Sequence, residues 1–151
     1  MSMEFLFEQG PRVLVTVKIL NGAMDNVDLS PQKSFTLRCN EKCQFVYDWC
    51  EAYSHRLPTG ELHLDWRSLT RFQTGVLQAL TEIPFGETRT YKSIAERCGS
   101  PNGYRAVGGA CGINPFPLFV PCHRVLASDG KIGGFSQGLE LKHELLEFEQ
   151  G

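Results

Sequence analysis

Pro121-Cys122-His123-Arg124-Val125 sets a thiol beside an imidazole, directly after the apolar run Leu118-Phe119-Val120 and a few residues past Asn114-Pro115. Only the thiolate attacks well, and free cysteine is mostly the neutral thiol at neutral pH. A nucleophilic cysteine therefore works with a base in hydrogen-bond reach. The segment reads as a nucleophile kept among apolar neighbours, with His123 as the base. A buried cysteine is more often just a small hydrophobe, but the Pro-Cys-His-Arg setting argues for the reactive reading.

Elements must hold that segment in place. Val13 to Ile19 alternates as a half-buried strand. Met3 to Phe7 is expected to pair with it through a turn at Gly10-Pro11. Asn21-Gly22 is a hairpin signal, with Ala23 to Leu29 as the returning strand. Glu41 to His55 reads as a helix with Phe45, Val46, Trp49 and Tyr53 on one face, stopped by Leu57-Pro58-Thr59-Gly60. A second helix is expected over 68–81, its buried stripe being Phe72, Val76, Leu77 and Leu80. Thr90 is a good N-cap for a short helix from Tyr91 to Cys98. After Gly99-Ser100-Pro101, a glycine-rich helix runs from Asn102 to about Gly112. Two short helices joined by a tight turn, with an arginine on the second, suggest a helix-turn-helix. Glycines 103, 108 and 109 are poor helix formers, so they imply close approach to a partner, to the reactive loop or to another helix.

The chain has 151 residues, 42% of them hydrophobic, enough for one large or two small domains with a core. No stretch is long enough to be a membrane span, and Glu4 sits where a signal peptide would be basic. The six cysteines are expected to be reduced thiols in an intracellular protein. Net charge is −2, which argues against binding DNA by bulk electrostatics alone. Between Gly86 and Lys131, however, six basic residues face three acidic ones. Cys39, Cys43, Cys50, His55 and His63 have the wrong spacing for a zinc site, and no metal is expected.

The PCHRV run, with Asn114-Pro115 before it and Gly133-Gly134-Phe135-Ser136 after it, resembles the O6-alkylguanine-DNA alkyltransferase family. The resemblance covers roughly Phe72 to Glu149. It implies an α/β chain: a small ribonuclease-H-like sheet-and-helix domain (1–66), then a mostly helical, winged helix-turn-helix-type domain (67–151). It also implies a cofactor-free, single-use transfer of methyl or another small alkyl group from O6 of guanine in duplex DNA to Cys122. The sequence leaves O4-alkylthymine open as a second substrate. By resemblance, His123 draws off the thiol proton through a water, Glu149 holds the imidazole's tautomer, and Asn114 steadies the turn. Tyr91 donates to the departing guanine, Ser136 meets its O6, and the backbone at Cys122 and Val125 reads its amino edge. Arg105 fills the gap left by a nucleotide flipped out through the minor groove, on a helix whose Ala106 and Gly108 also face DNA. Arg124 is expected to make a structural salt bridge.

The resemblance further implies a monomer that binds damaged duplex DNA and no membrane, in the cytoplasm or, in a eukaryote, the nucleus. Three positions depart from the family's pattern. Tyr104 stands where a small residue is frequent, Gly112-Ile113 lacks a basic residue, and Phe135 replaces a tyrosine. Two rivals remain. A lesion-binding relative without transfer activity would lack the cysteine, which this chain keeps. A cysteine hydrolase would turn over, whereas the alkyltransferase reacts once per molecule, and hydrolase partners usually come from distant segments.

Overall fold

The structure is a computed structural model that describes residues 2–151. The chain divides into two compact units, one ending at Asp65 and the other spanning Trp66–Gln150. The architecture is mixed α/β, with a small N-terminal sheet and a mostly helical remainder, as the sequence implies.

In the first unit, strands β1 (Met3–Leu6), β2 (Val13–Leu20), β3 (Ala23–Pro31) and β4 (Thr36–Cys39) form one sheet in the order β1-β4-β2-β3. Alternation places Val13, Val15, Val17 and Ile19 of β2 on the buried face. Asn21 and Gly22 both take positive φ, 53° and 79°, and close the β2–β3 hairpin as their residue types predict. The expected β1–β2 pair does not form. β4 lies between them, antiparallel to β1 and parallel to β2. The Gly10-Pro11 connection is therefore a crossover rather than a hairpin turn. Gly10 has φ of +136°, and a Cβ there would sit 2.7 Å from the Phe35 ring, so only glycine fits.

Helix α1 (Gln44–Ser54) starts three residues later than expected and buries Val46, Trp49, Cys50 and Tyr53, while Phe45 is only half-buried. Cys43 is its N-cap.

The second unit opens with α2 (Arg71–Leu80), capped reciprocally by Thr70 and Gln73. Val76, Leu77 and Leu80 are buried, but Phe72 in its first turn is 40% exposed, against expectation. Thr90 caps α3 (Tyr91–Arg97) in the same reciprocal way with Ser93. Gly99, at φ of +75°, ends α3, and the Ser100 amide donates back to the Ala95 carbonyl, a glycine-terminated helix end. Helix α4 (Tyr104–Gly112) follows and packs on α2 and α3, completing the helix-turn-helix. A short parallel pair, β5 (Arg89–Thr90) with β6 (Val125–Leu126), and helix α5 (Leu139–Gln150) complete the unit. Among the described residues no helix is long and apolar enough to cross a membrane.

Candidate active site

Asn114 organises the loop that delivers the cysteine. Its Oδ1 accepts from the Phe116 amide at 2.9 Å, and its Nδ2 donates to the Val120 carbonyl at 3.0 Å. Between those anchors Leu118 takes φ of +78°, a conformation a branched side chain adopts only when its surroundings impose it. The chain then enters a single 3-10 turn, Cys122–Arg124, with all three side chains buried.

The Asn114 amide also donates to Cys122 Sγ at 3.2 Å. Burial pushes the thiol up to about 11, against the opposing pull of the Asn114 hydrogen bond and the Lys142 charge. Cys122 is therefore a thiol at neutral pH and needs a base.

His123 is fully buried, and its Nε2 meets Glu149 Oε2 at 2.6 Å. Burial pushes the imidazole below its usual value, opposed by Glu149, so it is neutral at pH 7. Burial alone would raise Glu149. The charge and hydrogen bonds of His123 and Arg124 outweigh it and hold the carboxyl at about 2. Arg124 donates to Glu149 Oε1 at 2.7 Å through Nε and to the Ile83 carbonyl at 2.8 Å, the structural salt bridge expected of it. Held at about 2, Glu149 stays ionised beside a neutral imidazole.

An ionised carboxylate only accepts, so Nε2 carries the imidazole proton and Nδ1 keeps the lone pair. Nδ1 is the one buried side-chain polar atom among the described residues that has no hydrogen-bond partner. A basic nitrogen with its tautomer fixed, on the residue that follows a thiol needing to lose a proton, supplies the base nucleophilic catalysis requires, with no direct hydrogen bond between Nδ1 and Sγ.

A family model described as "6-O-methylguanine DNA methyltransferase, DNA binding domain" matches residues 71–151. The chain belongs to the 6-O-methylguanine DNA methyltransferase family.

Among its relatives, the methylated-DNA–protein-cysteine methyltransferase of Methanosarcina barkeri is 54% identical over 81 residues, which cover 54% of this chain and 51% of that protein. The protein of the same name from Methanosarcina mazei is 48% identical over 106 residues, covering 70% and 66%. The matched part thus spans about half to two thirds of these relatives. A Mycobacterium tuberculosis OGT, solved in complex with DNA, superposes with a TM-score of 0.76 at 33% identity, covering 91% of this chain and 92% of that one. The O6-methylguanine-DNA methyltransferase of Pyrococcus kodakaraensis gives 0.67 at 26% identity over the full length of both.

In this family member a cavity of about 130 Å³ opens beside the thiol, lined by Tyr91, Gly108, Cys111, Cys122, Phe135, Ser136 and neighbouring glycines. Tyr91, Gly108 and Ser136 are thus brought to the cysteine. Arg105 and Ala106 lie exposed on α4, outside that lining, and Val125 is buried with its carbonyl bonded elsewhere. Gly133, at φ of +71°, lets Tyr91 approach, since a Cβ there would come within 3.0 Å of its ring. The Tyr91 hydroxyl donates to the Gly134 carbonyl at 3.4 Å.

The glycines of α4 do not serve close packing. A Cβ at Gly108, Gly109 or Gly112 would meet nothing within 4 Å.

Sequence reasoning missed Lys142. Its side chain is fully buried, with Nζ donating to the Val125 carbonyl at 2.7 Å and the Gly134 carbonyl at 2.9 Å, and lying 5.9 Å from the centre of the Tyr91 ring. It ties the strand after the cysteine turn to the glycine loop across the cavity. The signal was its position beside Leu141, in the stripe Leu141, Leu145, Glu149 at helical spacing. Among the described residues no cluster of three or more His, Cys, Asp or Glu is placed to hold a metal ion.

Proposed function

We propose that the chain repairs DNA by moving an alkyl group, methyl in the simplest case, from O6 of guanine in duplex DNA to Cys122, once per molecule. The observation that carries this is the Cys122–His123–Glu149 constellation with Nδ1 left basic, in a domain whose family binds DNA. The Cys122 proton passes through one bridging water to Nδ1, and the developing imidazolium is stabilised by Glu149. The sulfur attacks the alkyl carbon in line, forming the S–C bond as the C–O6 bond breaks. Asn114 Nδ2 supports the anionic sulfur, and Tyr91 gives a hydrogen bond or proton to the leaving guanine. Ser136 meets O6, and backbone at Cys122 and Val125 reads the amino edge.

A stacked base cannot reach the cavity, so the nucleotide is flipped out. Arg105 fills its place from the minor-groove side, aided by Ala106 and Gly108. Residues 67–151 form the DNA-binding and reacting domain, and residues 1–66 support it. No cofactor takes part, the working form is a monomer, and the location is inside the cell, where DNA is found.

The test is intact and peptide mass spectrometry after incubation with a duplex carrying one O6-methylguanine. One added methyl on the Cys122 peptide, saturating at one per protein and absent from Cys122→Ser, is the expected result. An unmodified protein that still binds the damaged duplex would leave a lesion-binding module and sink the transfer.

The rate's pH dependence is a second expectation. His123 serves as base when neutral, that is above its folded value, which burial holds below 6.5. The single-turnover rate should therefore be level from about pH 8 to 6.5 and decline only in more acid solution. A decline already centred above pH 7 would remove His123 from the role of base.

A further inference from the structure

Helix α4 begins with two long side chains at the surface. Tyr104 is 48% exposed and Arg105 is exposed. Among the described residues neither has a hydrogen bond, ion pair or ring contact. Helical spacing puts Tyr104, Gly108 and Gly112 along one face, four residues apart. Gly108 and Gly112 line the cavity that holds Cys122, and a Cβ at either would project into open space. The face thus runs from an exposed aromatic ring, over bare backbone, to the mouth of the reactive pocket.

A surface with one aromatic, one cation and no other long side chain suits a partner that is both flat and anionic. The helix lies within the segment matched by the DNA-binding domain model, so the occupant is duplex DNA. Tyrosine is a suitable anchor, since its rigid ring offers a large contact area at a low entropy cost.

We propose that Tyr104 is a DNA-contact residue whose ring stacks on a nucleobase bordering the extruded nucleotide, acting beside Arg105. This rests on the repair reading above. Stacking on a π-face tolerates any sequence. Being uncharged, the ring releases no counterions, so it adds affinity without steepening the salt dependence.

The experiment uses the full-length protein. Binding to a duplex with one O6-methylguanine is followed by fluorescence anisotropy over a range of salt, in a Cys122→Ser background that blocks reaction. Tyr104→Ala should weaken binding roughly 10-fold at every salt concentration, with the slope of log K against log salt unchanged. Tyr104→Phe should stay within about twofold of the parent, because the ring is what stacks. A urea-unfolding midpoint of Tyr104→Ala equal to the parent's shows that the fold is intact.

Unchanged affinity in Tyr104→Ala would overturn the proposal. So would a loss in Tyr104→Phe as large as that in Tyr104→Ala, which marks a hydroxyl contact to phosphate instead of a stacked ring. A parent protein that gains no methyl, yet loses affinity on Tyr104→Ala and regains it on Tyr104→Phe, would remove the transfer reading and keep the stacking one.

Discussion

Alanine in place of Glu149 is expected to destabilise the fold by about 3–5 kcal/mol and to slow transfer to Cys122 by roughly 10²–10⁴-fold. Both Glu149 oxygens are engaged: Oε1 by Arg124 Nε at 2.7 Å, Oε2 by His123 at 2.6 Å and by the second Arg124 nitrogen at 3.2 Å. Its side chain is 1% exposed, so water cannot replace it without opening the site. Removing it strands a buried guanidinium, whose remaining bond is to the Ile83 carbonyl. It also frees the imidazole to carry its proton on Nδ1, the atom that must receive one. Glutamine is no rescue, because its amide would set a donor against either Arg124 or His123. Urea unfolding at pH 7 and single-turnover rates measure the two effects. A Glu149→Ala protein with parental stability and rate would dissolve the triad.

The same carboxylate makes stability pH-dependent in a defined window. Its folded value of about 2 lies below the ordinary 4.5. A depressed carboxylate contributes stability above the unfolded value and loses it as pH falls through the folded one. The parent should therefore lose up to about 3 kcal/mol between pH 4.5 and 2, a loss Glu149→Ala no longer shows because it has already occurred.

Local signals were legible where the chemistry was local. Thr90 caps a helix because its hydroxyl accepts from the amide of Ser93, and any sequence with that spacing reports it. Asn21-Gly22 turns because both residues tolerate positive φ. The reactive turn was legible through Pro121–Val125, and Glu149 through its spacing to that run in related proteins. What stayed hidden depends on contacts distant in sequence. β4 is four residues long, three of them buried, too short to show a period. Its insertion between β1 and β2 could not be read from the Gly10-Pro11 turn signal. Phe72 matches the apolar period of α2, yet it lines an open surface groove with Gly75, Arg97 and Cys98. Periodicity reports a face, not where along the helix that face is covered. Lys142 was hidden for the opposite reason, since lysine is the residue least expected in an interior.

Lys142→Met tests whether that buried lysine matters to the chemistry or only to the fold. Methionine fills a similar volume but cannot donate. The Val125 carbonyl, now bonded at 2.7 Å, loses this donor, while the Gly134 carbonyl, bonded at 2.9 Å, keeps only the Tyr91 hydroxyl. An unsatisfied buried carbonyl costs about 1–3 kcal/mol, partly offset because an ammonium no longer has to be buried. A net loss of about 2 kcal/mol is expected, measured by urea unfolding. The effect on reaction should be larger than stability alone explains. Lys142 is a nearby positive charge that pulls the Cys122 thiol down, and without it the thiol rises further above neutrality. It also holds the Gly134 loop, whose carbonyl receives the Tyr91 hydroxyl and whose neighbours Phe135 and Ser136 wall the cavity. Transfer should slow by roughly 10-fold or more, by the same factor from about pH 6.5 to 8, because the parent thiol, at about 11, and the variant thiol both titrate well above that range. A parental rate at every pH would show that neither the charge nor the tether reaches the sulfur.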